Sequence, residues 1–117
     1  VSDEKPLDPE RAEVRDQLFG GEGSVSVWDL GKGALVPPFS AVVFAVLSPG
    51  ARVGRHRQES DDELVIVLEG EGVLYVDGRA AACVPGSVVG LAKGAVLEID
   101  NASIEAPLRY VIVKARR

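Results

Sequence analysis

"GRHRQESDDELVIVLEG" runs from Gly54 to Gly70 and holds the only histidine of the chain, His56. Side chains two apart on an extended strand share a face, so His56 and Gln58 point the same way. The charged stretch "QESDDE" then reads as a turn, and Glu63 opens an apolar strand with Val65 and Val67 on its own face. With Glu63 turned inward, one imidazole, one amide and one carboxylate converge over a valine wall. Small-molecule sites have this character, mostly apolar with a few converging polar groups. Taken alone, the same residues also describe a solvated turn beside a surface histidine, and the rest of the chain has to decide.

Outward from this stretch the same grammar repeats. Short Val- and Ile-rich runs cover residues 24–30, 39–47, 52–58, 63–70, 72–78, 80–84, 87–92, 95–101 and 108–115, separated by "SPG", "VDG" and "VPG". Such runs bounded by turn residues read as strands, and "VDG" between two of them reads as a tight hairpin. No long helical pattern separates them, so a parallel sheet with crossover helices is excluded. Many short antiparallel strands in 117 residues predict an all-β sandwich or barrel. Residues 1–23 read as a lead-in to a barrel domain at 24–117. Within the lead-in, Asp8 as N-cap and Pro9 at the first helical position predict one short helix.

Composition narrows the function classes. The chain is 46% hydrophobic with a net charge of −5, so a core forms and neither nucleic acid nor an anionic membrane is the expected partner. The longest apolar run, "AVVFAVL" at 41–47, falls far short of the roughly 20 residues of a membrane helix. The acidic start lacks the character of a signal peptide. A single cysteine, Cys83, excludes an intrachain disulfide, reads as a small core hydrophobe, and makes a cytoplasmic location the expectation.

Gly50, His56, Gln58, Glu63 and Gly70 resemble, by their spacing, the first signature of the cupin superfamily, with Gln58 where that family usually has a second histidine. "DGRAAACVPGSVVGLAKGAVLEIDN" at 77–101 resembles the second signature through Pro85, Gly86, Gly94 and Asn101. Leu97 stands where the third metal-binding histidine would be. The resemblance implies an antiparallel jelly-roll β-barrel. In the family, a divalent metal sits on the two histidines, the glutamate and the later histidine. Here it would leave His56 and Glu63 as strong ligands, Gln58 as a weak one, and none at Leu97.

Imidazole and carboxylate suit first-row metals, whereas a neutral amide adds little and leucine nothing. The expectation is therefore a cupin that binds a small organic ligand, with His56, Gln58, Glu63, Val65 and Leu97 in the pocket. Its metal site would be degraded, holding a divalent ion such as Zn, Ni, Mn or Fe weakly or not at all. Such a protein would act in binding, in sensing or as an accessory. The alternative is a metal-dependent cupin enzyme, an isomerase, cyclase, dioxygenase or decarboxylase, using His56, Gln58 and Glu63. Glu98 and Asp100 flank Leu97 but face away from it by alternation. Glu63 is expected to pair with His56 and hold it charged.

Both faces of "SAVVFAVL" at 40–47 are apolar, so the face not turned to the barrel needs a cover. A second subunit, giving the homodimer common among cupins, or the lead-in with Leu18 and Phe19 would supply it.

Overall fold

The computed structural model describes residues 5–117; the first four residues of the lead-in lie outside the described residues. Ten strands follow one another: β1 (Glu13–Asp16), β2 (Ser24–Leu30), β3 (Phe39–Leu47), β4 (Arg52–Arg57), β5 (Asp61–Glu69), β6 (Gly72–Val76), β7 (Arg79–Cys83), β8 (Val88–Leu91), β9 (Val96–Asn101) and β10 (Leu108–Arg116). They form an antiparallel six-stranded sheet in the order β1-β2-β3-β10-β5-β8 and a four-stranded sheet in the order β4-β9-β6-β7. This is the all-β jelly-roll arrangement expected, and each of the nine anticipated runs is a strand. No helix among the described residues is long and apolar enough to cross a membrane.

The lead-in differs in part from expectation. Asp8 does cap a helical turn, its side chain accepting from the Glu10 N–H, but the turn is a single 3-10 turn at Pro9–Arg11. Residues 13–16 then leave the helix and pair with β2, Glu13 opposite Val27 and Asp16 opposite Ser24. An edge of backbone on β2 was available, and ladder hydrogen bonds with it outweigh the weak helical preference of so short a segment. The hairpin at "VDG" is as expected: Asp77 (φ 51°) and Gly78 (φ 80°) both take the left-handed region that a two-residue turn matched to strand twist requires.

The core lies between the sheets. Val25, Leu47, Val65, Val67, Leu74, Cys83, Leu97, Ile99 and Leu108 are essentially inaccessible, and burying a residue of the Val, Leu or Ile kind contributes about 1.5–3 kcal/mol. Asn101, the residue shared with the second signature, is a clamp. Its Nδ2 donates to the carbonyls of Leu47, Ser48 and Ala106, and its Oδ1 accepts from the Ser103 N–H. It fixes the loops after β3 and β9 to each other and is not among the residues that line the pocket.

The outer face of the larger sheet is apolar across five strands. Register sets Trp28 beside Phe44, Phe44 beside Val111, Val111 beside Ile66 and Ile66 beside Val88. A second row runs through Leu30, Val42, Val113 and Leu64. The Asp8 carbonyl accepts from the Trp28 indole N–H, which ties the lead-in to one end of this face. Leu18 and Phe19 are not its cover: Leu18 packs against the core and Phe19 stacks on the His56 ring.

Candidate functional site

A cavity of about 1150 Å³ opens between the sheets. Its inner walls are Val25, Val27, Val43, Ala45, Val53, Leu97, Ile99 and Ile112, and its polar groups include His56, Gln58, Glu63, Tyr110 and Lys114. Four of the five anticipated pocket residues therefore meet there. Val65 does not: it is fully buried and packs in the core, two residues further along β5 than Glu63. Glu98 and Asp100 are not among the lining residues, consistent with alternation along β9.

His56 owes its inward aim to an irregularity. On the β4–β9 ladder Val53 pairs with Ile99 and His56 with Leu97, three residues against two, which is a bulge. The extra residue puts His56 and Val53 on the same face in spite of their odd spacing. Gly54 lies in that bulge, and a Cβ there would fall 2.1 Å from the Phe19 carbonyl oxygen and 2.8 Å from the Gly21 N. Only glycine lets the segment 19–21 press against β4. Phe19, itself in the left-handed region at φ 54°, stacks on the His56 ring at 3.9 Å between centroids and 13° between planes.

The His56 Nδ1 lies 2.9 Å from the Gly54 carbonyl oxygen. A carbonyl only accepts, so Nδ1 carries the proton. Burial lowers the His56 pKa below its ordinary value, the Gly54 carbonyl partly offsets this, and the Lys114 charge adds to the lowering. The imidazole is thus neutral near pH 7, with Nε2 as a free acceptor. This corrects the expectation that Glu63 pairs with His56 and holds it charged.

Glu63 is paired elsewhere. It stands opposite Lys114 on the β5–β10 ladder, with Nζ 3.8 Å from Oε1, an ion pair too long for a hydrogen bond. Burial raises the Glu63 pKa, Lys114 opposes the rise, and nearby Asp61 reinforces it. Its Oε2 is buried without a partner, and so is the Gln58 Nε2. The Gln58 backbone is held on both sides, N–H to the Ala95 carbonyl and carbonyl to the Gly94 N–H. Tyr110 lines the same cavity, its hydroxyl pKa pushed up by burial and by the neighbouring Glu63.

The residues do not fit a bound divalent metal. Leu97 stands directly across the ladder from the one imidazole, and the carboxylate already has an ammonium beside it, which repels a second cation. Among the described residues, no group of three or more His, Cys, Asp or Glu side chains could hold a metal ion. Lys114, Tyr110 and Phe19 are the site residues that the sequence reading missed. "LRYVIVKA" at 108–115 did carry a signal for two of them: alternation sets Tyr110, Ile112 and Lys114 on one face. Nothing in the sequence announces the stack of Phe19 on His56.

The family model described as "Cupin domain" matches residues 43–114. Among solved structures, a protein of Thermotoga maritima described as a predicted oxalate decarboxylase is 27% identical, with 91% of this chain and 92% of that chain covered and a TM-score of 0.83. A sugar phosphate isomerase from a cupin superfamily, from Silicibacter pomeroyi, is 26% identical over 97% of this chain and 76% of that chain, with a TM-score of 0.70. A Cupin 2 conserved barrel domain protein of Salinispora arenicola is similar in fold, with 21% identity, 98% and 89% coverage and a TM-score of 0.76. A search of curated proteins finds none that matches.

Proposed function

The chain belongs to the cupin family, and we propose that it binds a small organic molecule in its cavity without a resident metal, as a binding, sensing or accessory protein. One observation carries the reading: the His56 imidazole faces Leu97 across the ladder, where a metal site of this type needs another nitrogen. The remaining chemistry agrees with it. A neutral imidazole, an amide and a carboxylate neutralised by Lys114 offer hydrogen bonds inside apolar walls, which suits recognition of an organic ligand. Fragment screening by methyl NMR tests this. Binders should shift Leu97, Ile99 and Ile112 methyl signals without added metal, and Ile112→Trp, which narrows the cavity, should abolish them. Binders that require added metal, or that shift none of these methyls, would contradict the proposal.

The second reading, a metal-dependent enzyme on His56, Gln58 and Glu63, is favoured by the likeness to the protein described as a predicted oxalate decarboxylase. Leu97 and Lys114 weigh against it.

The proposed assembly is a homodimer with the apolar outer face of the larger sheet as its two-fold interface. Leu64 is 43% and Val88 59% exposed on that face, and Leu18 and Phe19, the alternative cover, pack elsewhere.

A further inference from the structure

The polar groups of the cavity restrict what it can take, on the reading that it binds an organic molecule. Five basic side chains (Arg11, Arg15, Lys32, Arg57, Lys114) and five acidic ones (Glu13, Asp29, Glu59, Asp61, Glu63) line it, so the lining has no net sign with which to select an anion or a cation. Three of the acidic side chains each have a basic partner in place. Arg15 holds Glu13 through two contacts of 3.2 Å, Lys32 lies 3.6 Å from Asp29, and Lys114 lies 3.8 Å from Glu63.

Against that balanced background two polar atoms stand out. Gln58 and Glu63 are each only 5% exposed, both line the cavity, and the Gln58 Nε2 and Glu63 Oε2 have no hydrogen-bond partner. Buried polar atoms are otherwise almost always paired. One is a donor that wants an acceptor, the other an acceptor that wants a donor. His56 Nε2 adds a second acceptor, since Nδ1 is committed to Gly54. Around them the walls are aliphatic, and the Phe19–His56 stack offers a flat aromatic surface.

We propose that the cavity selects a neutral ring compound carrying a hydroxyl or N–H together with a carbonyl, the donor directed to Glu63 and the acceptor to Gln58. A carboxylate ligand is disfavoured because it would meet Glu63 and would have to compete for Lys114. A plain hydrocarbon fills the walls but leaves both buried atoms unpaired.

Four bicyclic probes separate the cases in protein-observed NMR titrations of the full chain: 2-quinolone (donor and acceptor), N-methyl-2-quinolone (acceptor only), naphthalene (neither) and 2-naphthoate (anion). One hydrogen bond to a buried group is worth about tenfold in affinity. The expected result is 2-quinolone binding about tenfold or more tighter than each of the other three. Gln58→Leu should remove most of that advantage while binding naphthalene at least as tightly as wild type, because the unpaired amide is gone; retained naphthalene binding also shows the variant's cavity to be intact. Equal affinity for 2-quinolone and naphthalene would overturn the proposed ligand class and leave the cavity reading standing. Tightest binding of 2-naphthoate would overturn it in favour of an anion site. Failure of all four probes to shift the cavity methyls would overturn both.

Discussion

The structure predicts how a metal centre can be installed in this cavity, and in what order the obstacles fall. Position 97 faces His56 across the β4–β9 ladder, so Gln58→His with Leu97→His supplies two further imidazoles beside Glu63. Changes in groups that merely support a ligand alter metal affinity by about 10–100-fold, so two added direct ligands should each exceed that. Lys114 then remains as the second obstacle. Its ammonium is 3.8 Å from Glu63 Oε1, and a dication bound to that carboxylate would lie at about 5 Å from it. Two charges against one at that distance, at an effective dielectric of about 20, repel by ~7 kcal/mol. The Lys114 side chain is 37% exposed and can swing toward water, which leaves a few kcal/mol, or ~100-fold in affinity. Zn or Ni affinity, measured by competition with a chelating dye, should therefore rise from wild type to the double variant and again by about 100-fold when Lys114→Met is added. Leu97 is 1% exposed, so the metal-free variants should lose about 1–3 kcal/mol of stability, restored on loading. No gain in the double variant would show that position 97 does not face His56. No further gain from Lys114→Met would show that the ammonium does not guard the carboxylate.

Three further outcomes follow. Proton NMR should place the His56 pKa below 6.5, unmoved by Glu63→Gln and raised by Lys114→Met, because burial and Lys114 lower it; a value above 6.5 that falls in Glu63→Gln would restore the discarded His56–Glu63 pair. The Glu63 pKa is raised in the folded protein, so the native state binds that proton more tightly than the unfolded one. Its stabilising contribution is present in full below the unfolded pKa and lost as pH rises through the folded value. Glu63→Gln should thus be more stable than wild type at pH 7, by roughly 1 kcal/mol on the scale of one unmade buried hydrogen bond, with the gap closing in acid; denaturant titrations showing a gap that widens in acid would refute this. Light scattering at micromolar concentration should show a dimer that Val111→Lys, in the middle of the apolar row, converts to monomer, whereas a monomeric wild type would rule the interface out.

The strands were legible because each carries its own period-2 pattern and turn residues, which are local. The convergence of His56, Gln58 and Glu63 was legible because they sit within one strand–turn–strand unit. Lys114 was not, since its place beside Glu63 depends on β10 inserting between β3 and β5, a pairing between residues about fifty apart in sequence. That one non-local neighbour turned the assignment of Glu63 from a partner of His56 into a partner of lysine. β1 was missed for the same reason: its four residues, all exposed, have no apolar pattern of their own and are ordered by the edge of β2.

The cavity of this cupin is proposed to work without a resident metal. Elemental analysis of the full chain, purified without a histidine tag and without chelator, tests it most directly. Mn, Fe, Ni, Cu and Zn should all lie far below one equivalent per chain, with Gln58→His/Leu97→His/Lys114→Met prepared in parallel and retaining metal. One equivalent of any of them in the wild type, lost on His56→Ala, would contradict the claim and put the metal-dependent enzyme in its place.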